Sequence, residues 1–369
     1  MEKISAQKFF AVAVWLLALS PLPSRALIIT PTYDASVTSA TNSGQIQAGV
    51  NAAIQILQNL YTNNITINLT FYWGPFGPFT GGIGLGASST VFTGTRTYGT
   101  LTNALNSSRT SAADFTAVAS LPAVDPIATN VWWFPRANAK ALGISFSGLS
   151  ANDATRDGSI GFATNVSYTF DATNRAVSGK FDFIGVALHE ITEVMGRVYF
   201  DLSSVFIPYD LFRFTNSGAR SFNINATNAY LSADNGVTAL RYFYTNSSLG
   251  DVQDWKTSGA VDSCDAFVTS GKKGVLSYAD ITALDVIGYQ SSQALPPPSG
   301  TKAVGGSYTL KFTNTPGTTY ALYATTNLAL NITNWPTLGT VTDSVPGVFQ
   351  FVDTQAATNK FRFYRLKLN

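Results

Sequence analysis

The sequence is poor in the groups that build most enzyme sites. Its 369 residues include one histidine, one cysteine and two methionines, and only 12% are Asp, Glu, Lys or Arg. One imidazole excludes any site made of two or three histidines, and one thiol excludes an internal disulfide. Charge is balanced as well as scarce. The 23 Lys and Arg exceed the 21 Asp and Glu by two, and the excess sits in the first 26 residues, where Lys3, Lys8 and Arg25 face Glu2. The remainder is formally neutral and has no basic run, so it carries no electrostatic footprint for nucleic acid or an anionic membrane. Beyond the first 26 residues no stretch reaches the ~20 apolar residues of a spanning helix. With 45% hydrophobic and 13% aromatic residues, the chain does have the material for sizeable cores, and stability must come from packing.

Lys3 and Lys8 precede an apolar run over 9–19, followed by Pro21, Pro23, Ser24 and Ala26. That order predicts an export signal over residues 1–26, cut after Ala26, and hence a secreted, periplasmic or cell-surface protein with no membrane attachment after cleavage. Residues 27–30 predict a strand. Ile46, Val50, Ala53, Ile54, Leu57 and Leu60 recur at helical offsets after a cap at Asn42 or Ser43. Ile65, Ile67, Leu69, Phe71 and Trp73 alternate as a strand. Strand, helix and strand in this order predict an α+β layer. The Gly, Pro and Phe-rich stretch 74–87 has neither period and reads as a surface loop. Residues 160–163 predict a further strand, and 181–197 a buried helix. The triple proline at 296–298 predicts a stiff linker over 293–300. It separates a first domain, 27–292, from an alternating stretch, 301–369, that predicts a small all-β sandwich.

The only histidine lies in Ala187-Leu188-His189-Glu190-Ile191-Thr192-Glu193-Val194-Met195-Gly196-Arg197. On a helix, His189 and Glu193 share a face and Glu190 reaches the same space from about 100° round the axis. This is the layout of the His-Glu-x-x-His zinc helix with its second imidazole replaced by a carboxylate. His189 and Glu193 are candidate metal ligands, and Glu190 is the candidate base for a bound water.

The segment resembles the active-site helix of zincin-fold metallopeptidases. It is more closely similar to secreted bacterial zincin-like proteins whose helix reads His-Glu-Ile-x-Glu-Val-Met-Gly-Arg. Five further segments resemble that group in the same order: 136–143, 158–162, Pro208-Tyr209-Asp210-Leu211-Phe212-Arg213, Gly250-Asp251-Val252-Gln253-Asp254-Trp255 and 283–289. The resemblance implies an α+β zincin-like, metzincin-type domain and a zinc endopeptidase, with Mn²⁺ or Ca²⁺ as alternatives because carboxylates replace imidazoles. It also implies an extended peptide or protein substrate, aligned by the strand at 160–163. Where the elongated zincin pattern has two more histidines, this chain has Glu193 and Tyr199, so a third ligand must come from elsewhere. Asp210 is the first candidate, with Asp201 and Tyr199 as alternatives. Without a metal, His189 with Glu193 and Glu193 with Arg197 are ordinary i,i+4 pairs, and the chain is then a catalytically silent binding or surface protein. Asp251, Asp254, Asp262 and Asp265 form an acidic cluster read as solvated turns, with Ca²⁺ binding as the alternative although the spacing matches no calcium loop. Cys264 is expected as a small buried residue, with a thiol pairing to His189 as the alternative. Asp285 is expected to brace the helix region.

Overall fold

The computed structural model describes residues 27–80, 83–127, 131–146, 155–199, 205–246, 248–257, 261–291, 299–302, 306–313, 319–327, 335–345, 348–358 and 362–368. The export segment at 1–26 and most of the proline linker therefore lie outside the described residues, as does Asp201. In chain order the first elements are β1 (Ile28–Tyr33), α1 (Ala35–Thr38), α2 (Ser43–Leu60), β2 (Thr66–Trp73), β3 (Gly86–Thr90), β4 (Phe92–Arg96), α3 (Tyr98–Ser108) and α4 (Ala112–Ala119). Then come β5 (Trp132–Pro135), α5 (Arg136–Ala141), β6 (Gly158–Phe162), β7 (Tyr168–Thr169), β8 (Phe181–Asp182) and α6 (Phe183–Val194). A 3₁₀ turn at Pro208–Phe212 leads into β9 (Arg213–Asn216), β10 (Ala219–Arg220), β11 (Tyr230–Leu231), β12 (Arg241–Tyr242) and α7 (Tyr278–Asp285). The chain is thus a mixed α+β protein with several sheets. No described helix is long and apolar enough to cross a membrane.

The sheet that positions the site runs β1-β2-β6-β3. The first three strands are parallel and β3 is antiparallel to β6. β2 buries Ile67, Leu69 and Phe71 on one face, as its alternation requires. The apolar stripe of α2 (Ile46, Val50, Ala53, Ile54, Leu57) is buried, and α2 packs against α6. β6 is buried along its whole length and pairs on both edges, with β2 and with β3. This corrects the expectation that residues 160–163 align a substrate, because β6 has no free edge. β3 holds the edge position, inside a stretch that begins within the expected loop at 74–87. Its sequence Gly-Ala-Ser-Ser-Thr shows no apolar alternation because one face meets carboxylates: a Cβ on Gly86 would stand 2.5 Å from Glu190 Oε1, and Ser88 bonds Glu193.

α6 is fixed at both ends. Arg175 grips Asp182, just before the helix, through Nε–H and Nη2–H at 2.6–3.1 Å, and it also donates to Gly274 O. Phe183 packs on Phe162 and Phe170 with ring centroids 4.5 and 4.6 Å apart. The helix stops before the expected Arg197 because Gly196 takes φ +126°, a left-handed conformation that glycine adopts without strain.

Asp285, at the end of α7, accepts from Ser111 Oγ and from Ser291 N–H. Ser111 caps α4 and also accepts from Asp114 N–H. Burial and the neighbouring Asp114 push the Asp285 carboxyl up to about 8, against about 4 in an unfolded chain. The folded state therefore keeps a proton that the unfolded state releases, so this group's stabilisation is complete below about pH 4 and is lost as pH rises towards 8. Thermal unfolding should show Asp285→Asn losing less stability than wild type between pH 5 and 8, by at most about 1.4 kcal/mol per pH unit. An unchanged pH slope would contradict this assignment.

The C-terminal strands are β13 (Ser299–Lys302), β14 (Tyr308–Thr313), β15 (Thr319–Thr325), β16 (Thr337–Val345), β17 (Val348–Asp353) and β18 (Phe363–Leu368). All pairs are antiparallel, and they form one continuous sheet, β13-β14-β17-β16-β15-β18, in place of the two separate sheets expected of a sandwich. β16 is long enough to pair with β15 through its first part and with β17 through its end. Strands three apart in a flat sheet lie about 14 Å apart, yet Phe312 of β14 and Tyr320 of β15 stand 5.3 Å apart. The sheet therefore curls over its own small core of Leu310, Phe312, Tyr320, Leu322, Val341 and Phe349.

Candidate functional site

Eleven of the twelve residues of α6 are buried, and His189 is the exception. Its Nδ1 lies 2.8 Å from Ser263 O. A carbonyl only accepts, so Nδ1 carries a proton and Nε2 is the nitrogen presented to the site. Nε2 stands 3.4 Å from Glu193 Oε1 and 3.4 Å from Asp254 Oδ1. These three residues each offer a ligand atom within 4.8 Å of the other two. Glu193 is held by Ser88 Oγ–H on Oε2 at 2.7 Å and by Gln253 Nε2–H on Oε1 at 2.8 Å. Asp254 is held by Arg197, whose Nη1–H donates to Oδ1 at 2.7 Å. Arg197 itself is fully buried and stands 3.7 Å from Glu193.

Asp254 reaches the helix because the next residue anchors its segment. Trp255 is completely buried and donates from Nε1–H to Asp280 Oδ1 at 2.6 Å. Its backbone N–H bonds Cys264 O, beside the Ser263 carbonyl that orients His189. The third member of the cluster is therefore Asp254 and not Asp210. Asp210 lies in the 3₁₀ turn opened by Pro208, and its Oδ2 accepts from Ile207 N–H at 2.9 Å, so its carboxylate is spent capping that turn. Tyr199 is not in the cluster either; its field acts on Arg213.

The acidic residues read as solvated turns are buried except for Asp251, and three of them, Asp251, Asp254 and Asp265, line one pocket. Asp265 pairs with Arg241 at 2.7 Å, Asp262 groups with Cys264 and Asp280, and Asp251 is exposed. Cys264 is buried, 3.7 Å from Thr192 Oγ1, and burial pushes its thiol well above the usual range. That removes the alternative of a thiolate nucleophile served by His189.

Electrostatics follow from the packing. Burial disfavours charge on His189, but Asp254 and Glu193 outweigh it and push the imidazole up to about 10. Burial likewise works against charge on Glu193, but His189, Arg197 and Ser88 hold it down at about 2. Glu190 is 6% exposed and is pushed well above the carboxylate range by burial and then by Glu193. Glu190, His189 and Asp254 line a pocket of about 470 Å³ whose wall includes Gly84, Leu85 and Gly86 at the start of β3. Leu85 O accepts from Ala163 N–H and from Tyr168 O–H, which pins that wall to β6 and β7.

The two separations from His189 Nε2 match those between donors around a divalent cation. An imidazolium bonded to a carboxylate closes to about 2.7–2.9 Å, whereas Nε2 stands back at 3.4 Å from both oxygens. Ligand atoms about 2.0–2.1 Å from a tetrahedral ion lie about 3.4 Å from one another. The Nδ1–H···O=C bond is the usual support of a metal-binding histidine. Comparison with protein-family models, curated proteins and solved structures finds no match.

Proposed function

We propose that the protein is a secreted, metal-dependent hydrolase of peptide bonds built on a zincin-like scaffold, with the curled C-terminal sheet as an accessory domain. His189 Nε2, Glu193 and Asp254 would hold the ion, zinc before Mn²⁺ or Ca²⁺ given the imidazole and the small spacing. When bound, such an ion supplies Lewis acidity to a carbonyl and to water. The observation that carries the proposal is the 3.4 Å stand-off of one oriented imidazole nitrogen from two buried carboxylates, beside a carboxyl that faces the same pocket.

The chain's own residues supply the rest. Glu190 takes a proton from the attacking water on its carboxylate and returns it to the leaving amine. Its proton is held by burial and by the charge of Glu193; with Glu193 and Asp254 neutralised, it falls towards the range where a base works near neutral pH. β3 pairs with β6 alone among the described strands, so its outer edge can add an extended peptide as a further strand. Ser88 and Gln253 keep Glu193 from turning away, and Ser263 keeps the imidazole facing inwards. The test is chelation: dialysis against a strong chelator should abolish cleavage of an unfolded protein such as casein, and one equivalent of Zn²⁺ or Mn²⁺ should restore it. Cleavage indifferent to chelator would overturn the proposal.

One observation favours a second reading. Arg197, fully buried at 2.7 Å from Asp254, supplies positive charge to the same carboxylates, and with a protonated His189 the network closes without an ion. That reading makes the chain a silent binding protein. It predicts no stoichiometric metal under any supplementation.

A further inference from the structure

The pocket beside His189 carries a charge pattern that the proposed chemistry does not use. Its titratable lining residues are His189, Glu190, Asp251, Asp254 and Asp265, and no Lys or Arg lines it among the described residues. Two of the four carboxyls are already neutralised: Asp254 by Arg197 and Asp265 by Arg241, each at 2.7 Å. Glu190 is buried. Asp251 alone is exposed, and among the described residues it has no salt-bridge partner. Burial, and then Glu193 and Asp254, push its carboxyl up, while apolar side chains line other parts of the open pocket. Leu249 and Phe267 line it with 67% and 49% of their surfaces exposed, an unusual disposition for large apolar side chains so close together. Phe267 is steadied by an edge-on contact with Tyr244 at 5.2 Å. Phe181, Val186 and Val268 complete the apolar lining.

A pocket that sets apolar side chains beside a carboxylate without a salt-bridge partner among the described residues matches a long aliphatic stem with a cationic head. Lysine and arginine bury their methylenes on apolar surface while the head seeks an anion. An arginine head also gains from an exposed aromatic face such as Phe267. A volume of about 470 Å³ falls in the range of sites that enclose a small ligand or several side chains.

We propose that this pocket selects substrates with a lysine or arginine side chain next to the cleaved bond, and that Asp251 is the specificity residue that reads the charge. The inference rests on the hydrolase proposal above. It is tested with two fluorogenic peptides identical except for lysine or norleucine beside the scissile bond, assayed on wild type and Asp251→Asn. Wild type should prefer the lysine peptide at least about tenfold in kcat/KM, the order expected of one hydrogen bond to a charged group, and Asp251→Asn should bring the ratio close to one. Asp251→Lys should turn the preference towards a glutamate peptide. An equal rate on both peptides in wild type, or a ratio untouched in Asp251→Asn, overturns the role of Asp251. Fluorescence anisotropy of the same peptides on Glu190→Gln separates the two levels. Tighter binding of the lysine peptide with no cleavage by wild type overturns hydrolysis alone, and equal binding overturns the selection.

Discussion

Glu190→Gln is expected to lower kcat by about 10²–10⁴-fold while the protein keeps its full complement of bound ion. The amide is nearly isosteric, so it fits the narrow space against Gly86 and Val186, where even a Cβ on Gly86 would come within 2.9 Å of its neighbours. It can also donate to Glu193, as the protonated carboxyl does, so the fold and the cluster should survive. What it cannot do is accept a proton. Glu190 lies outside the group formed by His189, Glu193 and Asp254, which is why chemistry and ion content should separate in this variant. Steady-state kinetics together with elemental analysis of the same preparation decide it. Activity within about threefold of wild type would remove Glu190 from the mechanism, and loss of the ion would make it a ligand.

The second large effect concerns the third ligand. Asp254→Asn should lose more ion affinity than the about 10–100-fold typical when only a supporting group is removed, and Asp210→Asn should keep wild-type affinity. The two variants separate because Asp254 faces Nε2 of His189 at 3.4 Å whereas Asp210 bonds the backbone of its own turn. Asp254→Asn carries a structural cost too, since it strips a charge partner from fully buried Arg197. Breaking a buried pair costs about 3–5 kcal/mol, so ion content must be read on protein shown folded by circular dichroism. Retention of the ion in Asp254→Asn with its loss in Asp210→Asn would reverse the assignment.

Much of the scaffold was legible in the residues. The stripe from Ile46 to Leu57 and the alternation of Ile67, Leu69 and Phe71 each state a period, the nearly unbroken apolar run of α6 states burial all round, and packing followed both signals. β3 was not legible. Its inward face meets Glu190 and Glu193, so it carries Gly86 and Ser88 where a strand over a core would carry Val or Ile. The curl of the C-terminal sheet was hidden for a different reason, because alternation reports which face is buried and not whether two strands of one sheet meet across it.

In the site, His189, Glu190 and Glu193 were readable as a helix face, since i and i+4 are fixed by helical geometry alone. Asp254 was not, because its approach depends on the burial of Trp255 and its bond to Asp280, 25 residues further on. The signal against Asp210 was nevertheless local. An acid two residues after a proline that opens a turn is a capping residue, and the sequence Pro208-Tyr209-Asp210 states that pattern. Ser88, Gln253 and Ser263, which hold the cluster in place, carry no signature of their own.

An anomalous-difference map, collected at the zinc edge on crystals of protein grown with zinc, tests the cluster itself. A peak is expected about 2.0–2.2 Å from His189 Nε2, a Glu193 oxygen and an Asp254 oxygen, with the fourth position open to the pocket. A map without a peak there, with the imidazole drawn to hydrogen-bonding distance of either carboxylate, would leave an arginine-stabilised polar network and no metallohydrolase.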